Sequence, residues 1–552
     1  MTNDPPIFGF NEARESIVHE VIERVVEQAS DPLFYLNDAA YHEIKRLEPS
    51  RRKKDRERLS EWQRIARTLG RLTDAERVEK LRELATDYGW DVAGNFNPRV
   101  YKASTRILPG LVTGLLAPRT LASMAKHPRE LISLDALEDK VKVDGPLEKL
   151  QSVARKGAMV FVPTHLSNMD SIVFGYALER AGLPPATYGA GKNLFTNPIL
   201  SFFMHNLGAY RVDRRLRHAL YKDVLKTYSC VLLERGYHSL FFPGGTRSRS
   251  GGIERRLKLG LVGSALEAYV RTVRAGKERR VFFVPSTINY LITLEAETLI
   301  RDYLSETGKS RYIIEDDESS RLGRMTSFVH KLLGMESSVV IRFGEPLDPF
   351  GNTVDENGDS YDQRGRKVDP SSYVRNHDGE AVFDATRDAQ YTRELGEVIC
   401  RSYVKDTVIM STHVVAAACF HRLRKASPRP DLFTVLRQRD SVVVPRDELA
   451  AEVRQIKETL LERQQKGEVR CGEFLRAASG GDIVERALRA FNGYHTVPVL
   501  VSRRDGISIQ DPELLFYYQN RLASHGLGWD VLGASAKPSA ANAAAPSLGG
   551  SR

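Results

Sequence analysis

The chain is poor in cysteine and has no long hydrophobic run. Its four cysteines, Cys230, Cys400, Cys419 and Cys471, lie far apart and follow no paired spacing. That argues against a disulfide framework or a thiolate zinc site and fits a reducing cytoplasm. The opening residues, MTNDPPIFGFNEARE, lack the apolar centre of a signal peptide. The longest charge-free apolar stretch near a possible membrane face, Ile107 to Pro118, is interrupted by Pro109. It is shorter than the roughly 20 residues a spanning helix needs, so no single-pass anchor is expected and a surface-lying segment stays open. Three catalytic signatures are missing as well. There is no Gly-x-Ser-x-Gly elbow and no His-Glu-x-x-His zinc motif. Gly189-Ala190-Gly191-Lys192-Asn193 is not a nucleotide loop, because Asn193 stands where Ser or Thr is required and the upstream Gly is absent. No internal repeat is evident.

What is present describes a folded protein. Hydrophobic residues make up 41% and charged residues 28% of 552 positions, a globular balance in a chain long enough for two or three folded units. The net charge of +10 suits an anionic partner such as phosphate, coenzyme A, acidic lipid or nucleic acid, without choosing among them.

Hydrophobic periodicity divides the chain. Residues 1–135 read as a helical region, with IVHEVIERVVEQ and VEKLRELATDYG repeating apolar residues every three or four positions. The basic run Pro49 to Arg58 reads as a solvated helix end, with an anionic lipid contact as the alternative. From 136 to 350, short apolar runs at 158–164, 238–245, 280–287 and 338–346 alternate with amphipathic stretches. This is the pattern of an α/β domain whose largely parallel central sheet is flanked by helices, with sites beyond the carboxyl ends of the strands. Residues 351–380 read as a polar surface loop or linker, 381–533 as a mainly helical region, and 534–552 as a disordered tail.

Chemistry concentrates at the strand ends. The run Thr164-His165-Leu166-Ser167-Asn168-Met169-Asp170 follows a buried strand. Ser167 and Asn168 are candidate helix caps that would fold Asp170 back towards the imidazole, fixing its tautomer for proton abstraction from a hydroxyl. Taken alone, a His and an Asp at this spacing are more often structural. The run Phe242 to Gly252 carries glycines that turn backbone N–H groups inward, beside Arg247, Ser248 and Arg249 as phosphate donors. An exposed basic loop is the plain alternative. Gly208 to Arg215 is a guanidinium cluster that would ordinarily be a solvated helix end. Phe241, Phe242, Phe282 and Phe283 read as strand core rather than base-stacking platforms.

Taken together, in this order and over about 180 residues, these motifs resemble the glycerolipid acyltransferase superfamily, and within it the glycerol-3-phosphate acyltransferases. His165 and Asp170 match its first block, Gly208 and Arg211 the second, Gly245, Arg247 and Ser248 the third. Val284-Pro285 matches the fourth, where the family has a Pro lining the acyl and acceptor site. Ala190 to Phe195, Lys258 to Gly260 and Gly344 to Pro346 are similar too, as is Leu514 to Arg521 near the carboxyl end. Gly244 departs from the pattern, since the family usually carries Glu there.

The resemblance implies transfer of a fatty acyl group from acyl-CoA or acyl carrier protein to the sn-1 hydroxyl of glycerol 3-phosphate, giving 1-acyl-glycerol 3-phosphate. His165 would be the base and Asp170 its support, with Arg211, Arg247 and Ser248 on the phosphate and Gly245 and Pro285 shaping the substrate pocket. No cofactor or metal is implied, because the thioester is already activated. The implied partners are the acyl donor, glycerol 3-phosphate and, through the basic surface, anionic lipid. The expected location is the cytoplasmic membrane face, peripherally, without nucleic acid. Lysophosphatidic acid and dihydroxyacetone phosphate are the rival acceptors, and Gly244 admits a silent lipid- or phosphate-binding homologue.

Overall fold

The computed structural model describes residues 6–104, 141–192, 195, 198–277, 280–307, 339–428 and 431–529. The apolar stretch Ile107 to Pro118 and the tail from 534 lie outside them. The chain divides into two compact units. The first comprises Met1–Arg247, Glu254–Asn289 and Asp317–Thr407; the second comprises Ser248–Ile253, Tyr290–Asp316 and Val408–Arg552.

The first unit opens with four helices: α1 (Phe10–Gln28), α2 (Pro32–Leu47), α3 (Lys53–Thr68) and α4 (Asp74–Val92). Their starts are written locally. Asp31 accepts the Phe34 amide ahead of α2, and Thr73 with Glu76 forms a reciprocal capping box at α4. The apolar stripe of α1, Ile17, Val18, Val21, Ile22, Val25 and Val26, is buried in one core with Leu36, Leu81 and Ala85. Tyr221, Val224, Tyr228 and Leu232, from the helix Ala219–Glu234 of the sheet region, belong to that same core. The amino-terminal helices are therefore packed onto the sheet region. The basic run at Arg51 to Arg58 is mostly exposed and forms the amino-terminal turns of α3.

The sheet has seven strands: β1 (Val141–Asp144), β2 (Gly157–Pro163), β3 (Thr187–Gly191), β4 (Ala209–Val212), β5 (Ser239–Leu240), β6 (Arg280–Tyr290) and β7 (Val339–Phe343), in the order β1-β7-β6-β2-β5-β3-β4. The pairs β1–β7, β2–β6, β2–β5, β3–β5 and β3–β4 all run parallel. The connecting helices include α5 (Leu147–Ala154), α6 (Asp170–Arg180), α7 (Pro198–Asn206), α8 (Ala219–Glu234) and α9 (Gly260–Arg274). Every residue of β2 after Gly157 and of β6 after Arg280 is buried, so β2 and the first half of β6, 281–285, read as unbroken apolar runs rather than alternating ones. This is the expected α/β class. Strands β1, β3 and β4 are only four or five residues long and carry no continuous apolar run, which leaves them unmarked in the sequence.

The polar stretch expected as a loop or linker holds a three-stranded antiparallel meander, β8 (Thr353–Val354), β9 (Ser360–Tyr361) and β10 (Lys367–Val368). It also corrects the absence of repeats. Asp348, Asp355, Asp362, Asp369 and Asn376 recur every seven residues. At Asp348, Asp355, Asp362 and Asn376, Oδ1 accepts the amides two and four residues on, with Gly351, Gly358, Gly365 and Gly379 at positive φ. Each of these four is thus an Asx-anchored turn whose left-handed position only glycine takes at low cost, while Asp369 caps the short helix Pro370–Val374. A period this short and this polar carries no hydrophobic signal. The helix α10 (Ala385–Asp406) completes the unit.

The second unit is mainly helical. Its centre is α11 (Ser411–Ala426), buried from Ser411 to Phe420 and packed on α12 (Pro512–Ala523), which is buried along most of its length. Asp511 caps α12 by accepting the Leu514 amide, and Pro512 supplies a preset first turn. Within the unit, Asn520 of α12 donates to the Ser250 carbonyl at 2.8 Å. Among the described residues no helix is long and apolar enough to cross a membrane.

Candidate active site

Strand β2 delivers His165 two residues past its end, and the turn that follows is built around one carboxylate oxygen. Asp170 Oδ2 accepts the His165 Nδ1 proton at 2.8 Å, the Leu166 amide at 2.6 Å and the Ser167 amide at 2.9 Å. The expected capping by Ser167 and Asn168 is not how this is achieved. Helix α6 starts at Asp170 with Met169 at its cap position and no side-chain cap, while Ser167 Oγ accepts the Met169 amide at 3.2 Å. Asp170 is fully buried and the His165 side chain is 15% exposed. With Nδ1–H given to Asp170, the lone pair sits on Nε2, which has no protein partner among the described residues. A histidine held this way can take a proton from a hydroxyl and carry it as imidazolium.

Two further contacts fix the ring. Phe242, leaving β5, stacks on it with centroids 4.3 Å apart and planes at 24°. Glu254 Oε1 accepts the His165 backbone amide at 2.8 Å. Sequence reasoning missed both: Phe242 was taken as strand core, and Glu254 lies 89 positions from His165. Behind the turn, the Tyr403 hydroxyl of α10 donates to the Val162 carbonyl at 2.7 Å, bracing β2 just before its end.

The remaining residues take their places from the sheet register. Pro285 is level with Val162 across the β2–β6 pair and is buried, and its carbonyl accepts the Gly344 amide at 2.7 Å. Gly245 has φ +75°, and a Cβ there would meet the Lys258 side chain, 2.8 Å from Nζ. Lys258 in turn donates its amide to the Pro243 carbonyl at 2.7 Å. Gly and no larger residue therefore fits this turn. Ser248 donates its hydroxyl to the Gly252 carbonyl at 2.8 Å and groups with the second unit.

Arg247 is near enough to Arg214 for its charge to act there. Burial, and then the charge of Arg247, hold the Arg214 guanidinium below its usual value. Two guanidinium groups that disfavour each other gain from an anion bound at both, as a phosphate monoester would be. Arg214 had been set aside as part of a solvated helix end.

Arg211 stands further off. It pairs with Ala190 in β3, and the registers through β5 bring it level with Phe242 and Pro163. Three inter-strand steps of about 4.8 Å separate β4 from β2, on the order of 14 Å between α-carbons. Its guanidinium stacks 5.2 Å over Phe195 and lies 3.9 Å from Asp91, which also pairs with Lys192 at 2.7 Å. The structure thus gathers His165, Asp170, Phe242, Gly244 and Glu254 at one point. Arg214 and Arg247 form a cationic pair, and Arg211 belongs to a separate group with Asp91, Lys192 and Phe195.

The part of the chain that carries these residues has known relatives. Residues 143–288 match the acyltransferase family model. A glycerol-3-phosphate acyltransferase of Xanthomonas campestris pv. campestris is 29% identical over 262 residues, covering 47% of this chain and 25% of that protein. One from Pseudomonas aeruginosa is 30% identical over 212 residues, covering 38% and 24%. The chain thus spans about a quarter of the length of these relatives. A 1-acyl-sn-glycerophosphate acyltransferase from Thermotoga maritima aligns with 53% of this chain and 95% of its own at 15% identity and TM-score 0.24, too loosely to compare side chains. Residues 143–288 thus form an acyltransferase domain, similar to part of the glycerol-3-phosphate acyltransferases.

Proposed function

We propose that the chain transfers a fatty acyl group from acyl-CoA or acyl carrier protein to the sn-1 hydroxyl of glycerol 3-phosphate. The observation that carries this reading is the His165–Asp170 pair at 2.8 Å, tied by two backbone amides and turned towards the strand ends. His165 Nε2 takes the hydroxyl proton as the oxygen attacks the thioester carbonyl. The tetrahedral adduct collapses, expels the thiolate and returns the proton from the imidazolium to sulfur, leaving an ester and a free thiol. Arg247 and Arg214 hold the phosphate and so orient the hydroxyl. No covalent acyl-enzyme intermediate is required.

The same reading includes peripheral docking on anionic lipid. The product is amphiphilic, the net charge is +10 and Arg51, Arg52, Lys53 and Lys54 are exposed. These four sit at the amino terminus of α3, where the helix dipole disfavours cations, so helix stability is not what places them there.

The test is direct. Purified protein is incubated with palmitoyl-CoA or palmitoyl-acyl carrier protein and with radiolabelled glycerol 3-phosphate, dihydroxyacetone phosphate or lysophosphatidic acid. The expected result is labelled 1-acyl-glycerol 3-phosphate, abolished in His165→Ala. Preference for another acceptor would replace glycerol 3-phosphate. No transfer to any acceptor by folded protein would remove the enzymatic reading.

A further inference from the structure

We propose that Glu254 is a positioning residue of the His165 centre, its carboxylate occupying the space that a side chain at position 244 would fill and holding the His165 turn by its backbone. The inference builds on the acyltransferase reading of that centre.

Geometry carries it. Glu254 Oε1 accepts the His165 amide at 2.8 Å. A Cβ placed on Gly244 would lie 3.3 Å from Glu254 Cγ and 3.6 Å from Oε1. Gly244 has no left-handed φ that would demand glycine, so what its missing side chain provides is room for Glu254. Phe242, two residues earlier, stacks on the imidazole. The histidine is thus gripped at three points: Asp170 at Nδ1, Phe242 on one ring face, Glu254 at the backbone nitrogen. The loop leaving β5 and the segment entering α9 supply two of the three.

Glu254 also faces α10. After burial, its charge is the next cause that raises the Cys400 thiol to about 11 and holds the Tyr403 phenol well above its ordinary value. A carboxylate beside a buried phenol and a half-buried thiol is costly to keep unless it is bonded. Here the bond goes to the one amide whose position sets the base. A charge-assisted N–H to carboxylate bond is about twice as strong as a neutral one, which fits a role in fixing the turn against the strain of proton transfer.

Three variants test this: Glu254→Gln, Glu254→Ala and the double variant Glu254→Ala/Gly244→Glu. Acyl transfer is followed with varied glycerol 3-phosphate, and the His165 ring signals are followed by NMR, assigned by their loss in His165→Ala. Glu254→Ala is expected to lower kcat about ten- to a hundredfold with the Michaelis constant for glycerol 3-phosphate changed less than threefold. Glu254→Gln keeps the amide bond and loses the charge, so it lowers kcat by less, while Glu254→Ala also displaces the His165 ring signals. The double variant recovers at least tenfold over Glu254→Ala, because a side chain starting at 244 reaches the same place. Folded Glu254→Ala with undiminished kcat and unmoved His165 ring signals overturns the proposal, as does a folded double variant no better than Glu254→Ala. Should the wild type transfer no acyl group while Glu254→Ala still displaces the His165 ring signals, the acyltransferase reading fails and the positioning role stands.

Discussion

Replacing Asp170 by Asn should cost this site far less than the same change costs a serine-hydrolase triad. There, Asn lets the histidine adopt the wrong tautomer, and the rate falls about 10⁴-fold. Here a single oxygen, Oδ2, accepts three donors, two of them the Leu166 and Ser167 amides at 2.6 and 2.9 Å. Those amides admit only the Asn oxygen at that place, since its NH₂ would face two N–H donors. The oxygen then still receives Nδ1–H and the tautomer is retained. What disappears is the charge. A hydrogen bond to an ionised group contributes about 1.5–3 kcal/mol, against roughly 0.5–1.5 for a neutral one. The difference, about 1–2 kcal/mol at the imidazolium stage, corresponds to roughly a five- to thirtyfold fall in kcat. Asp170→Ala is a different lesion. It leaves two buried amides without their acceptor, at about 1–3 kcal/mol each, and frees the ring. That variant should lose about 10²- to 10⁴-fold in kcat, as expected for loss of a positioned base, together with several degrees of melting temperature. The assay is steady-state transfer of palmitate to labelled glycerol 3-phosphate, beside circular-dichroism melts of each variant. If Asp170→Asn falls as far as His165→Ala, the amides do not orient the side chain. If it matches the wild type, the Asp170 charge plays no part in the reaction.

Arg247→Ala should raise the Michaelis constant for glycerol 3-phosphate about ten- to a hundredfold and leave that for the acyl donor nearly unchanged, since a charge-assisted bond is lost. Arg211→Ala, two strands further out, should weaken the acceptor less; the reverse ranking in initial-rate kinetics would mean that Arg211 is the phosphate ligand. In the second unit, burial works against the Glu297 charge, but bonds to His495 and to the Thr496 amide and hydroxyl outweigh it and hold the carboxyl down at about 2. A depressed folded value stabilises above the ordinary value of 4.5 and is lost as pH falls towards 2. Glu297→Gln should therefore lower the melting temperature at neutral pH and flatten its decline between pH 5 and 2; an unchanged slope would remove Glu297 as a contributor. Binding to anionic vesicles should weaken steeply with salt, because each basic residue contributes about 1 kcal/mol within a Debye length of about 8 Å at physiological salt. Equal binding to neutral vesicles would argue against electrostatic docking.

The strands at 157–163, 280–290 and 339–343 were legible because burial on both faces writes a continuous apolar run. His165 and Asp170 were legible for a related reason: a polar motif directly after such a run stands at a strand end. Strands β3 and β4 were not, since glycine, alanine and arginine there give no pattern, and their place beside β5 comes from pairing. The meander from 353 to 368 has a period, but one of polar anchors and glycines, which hydrophobic periodicity does not register.

The sequence by itself therefore determined the fold class, the His165–Asp170 pair and the arginine loop, because each is written in residues close along the chain. Only the tertiary structure decided the rest. Glu254 meets the His165 amide across 89 positions, Tyr403 reaches the Val162 carbonyl across 241, and the helices from Phe10 to Val92 share one core with α8. No spacing encodes such contacts. They follow from parallel strands closing into one sheet, which brings loops distant in sequence to the same edge, where a carboxylate or hydroxyl finds the one backbone group its neighbours leave for it.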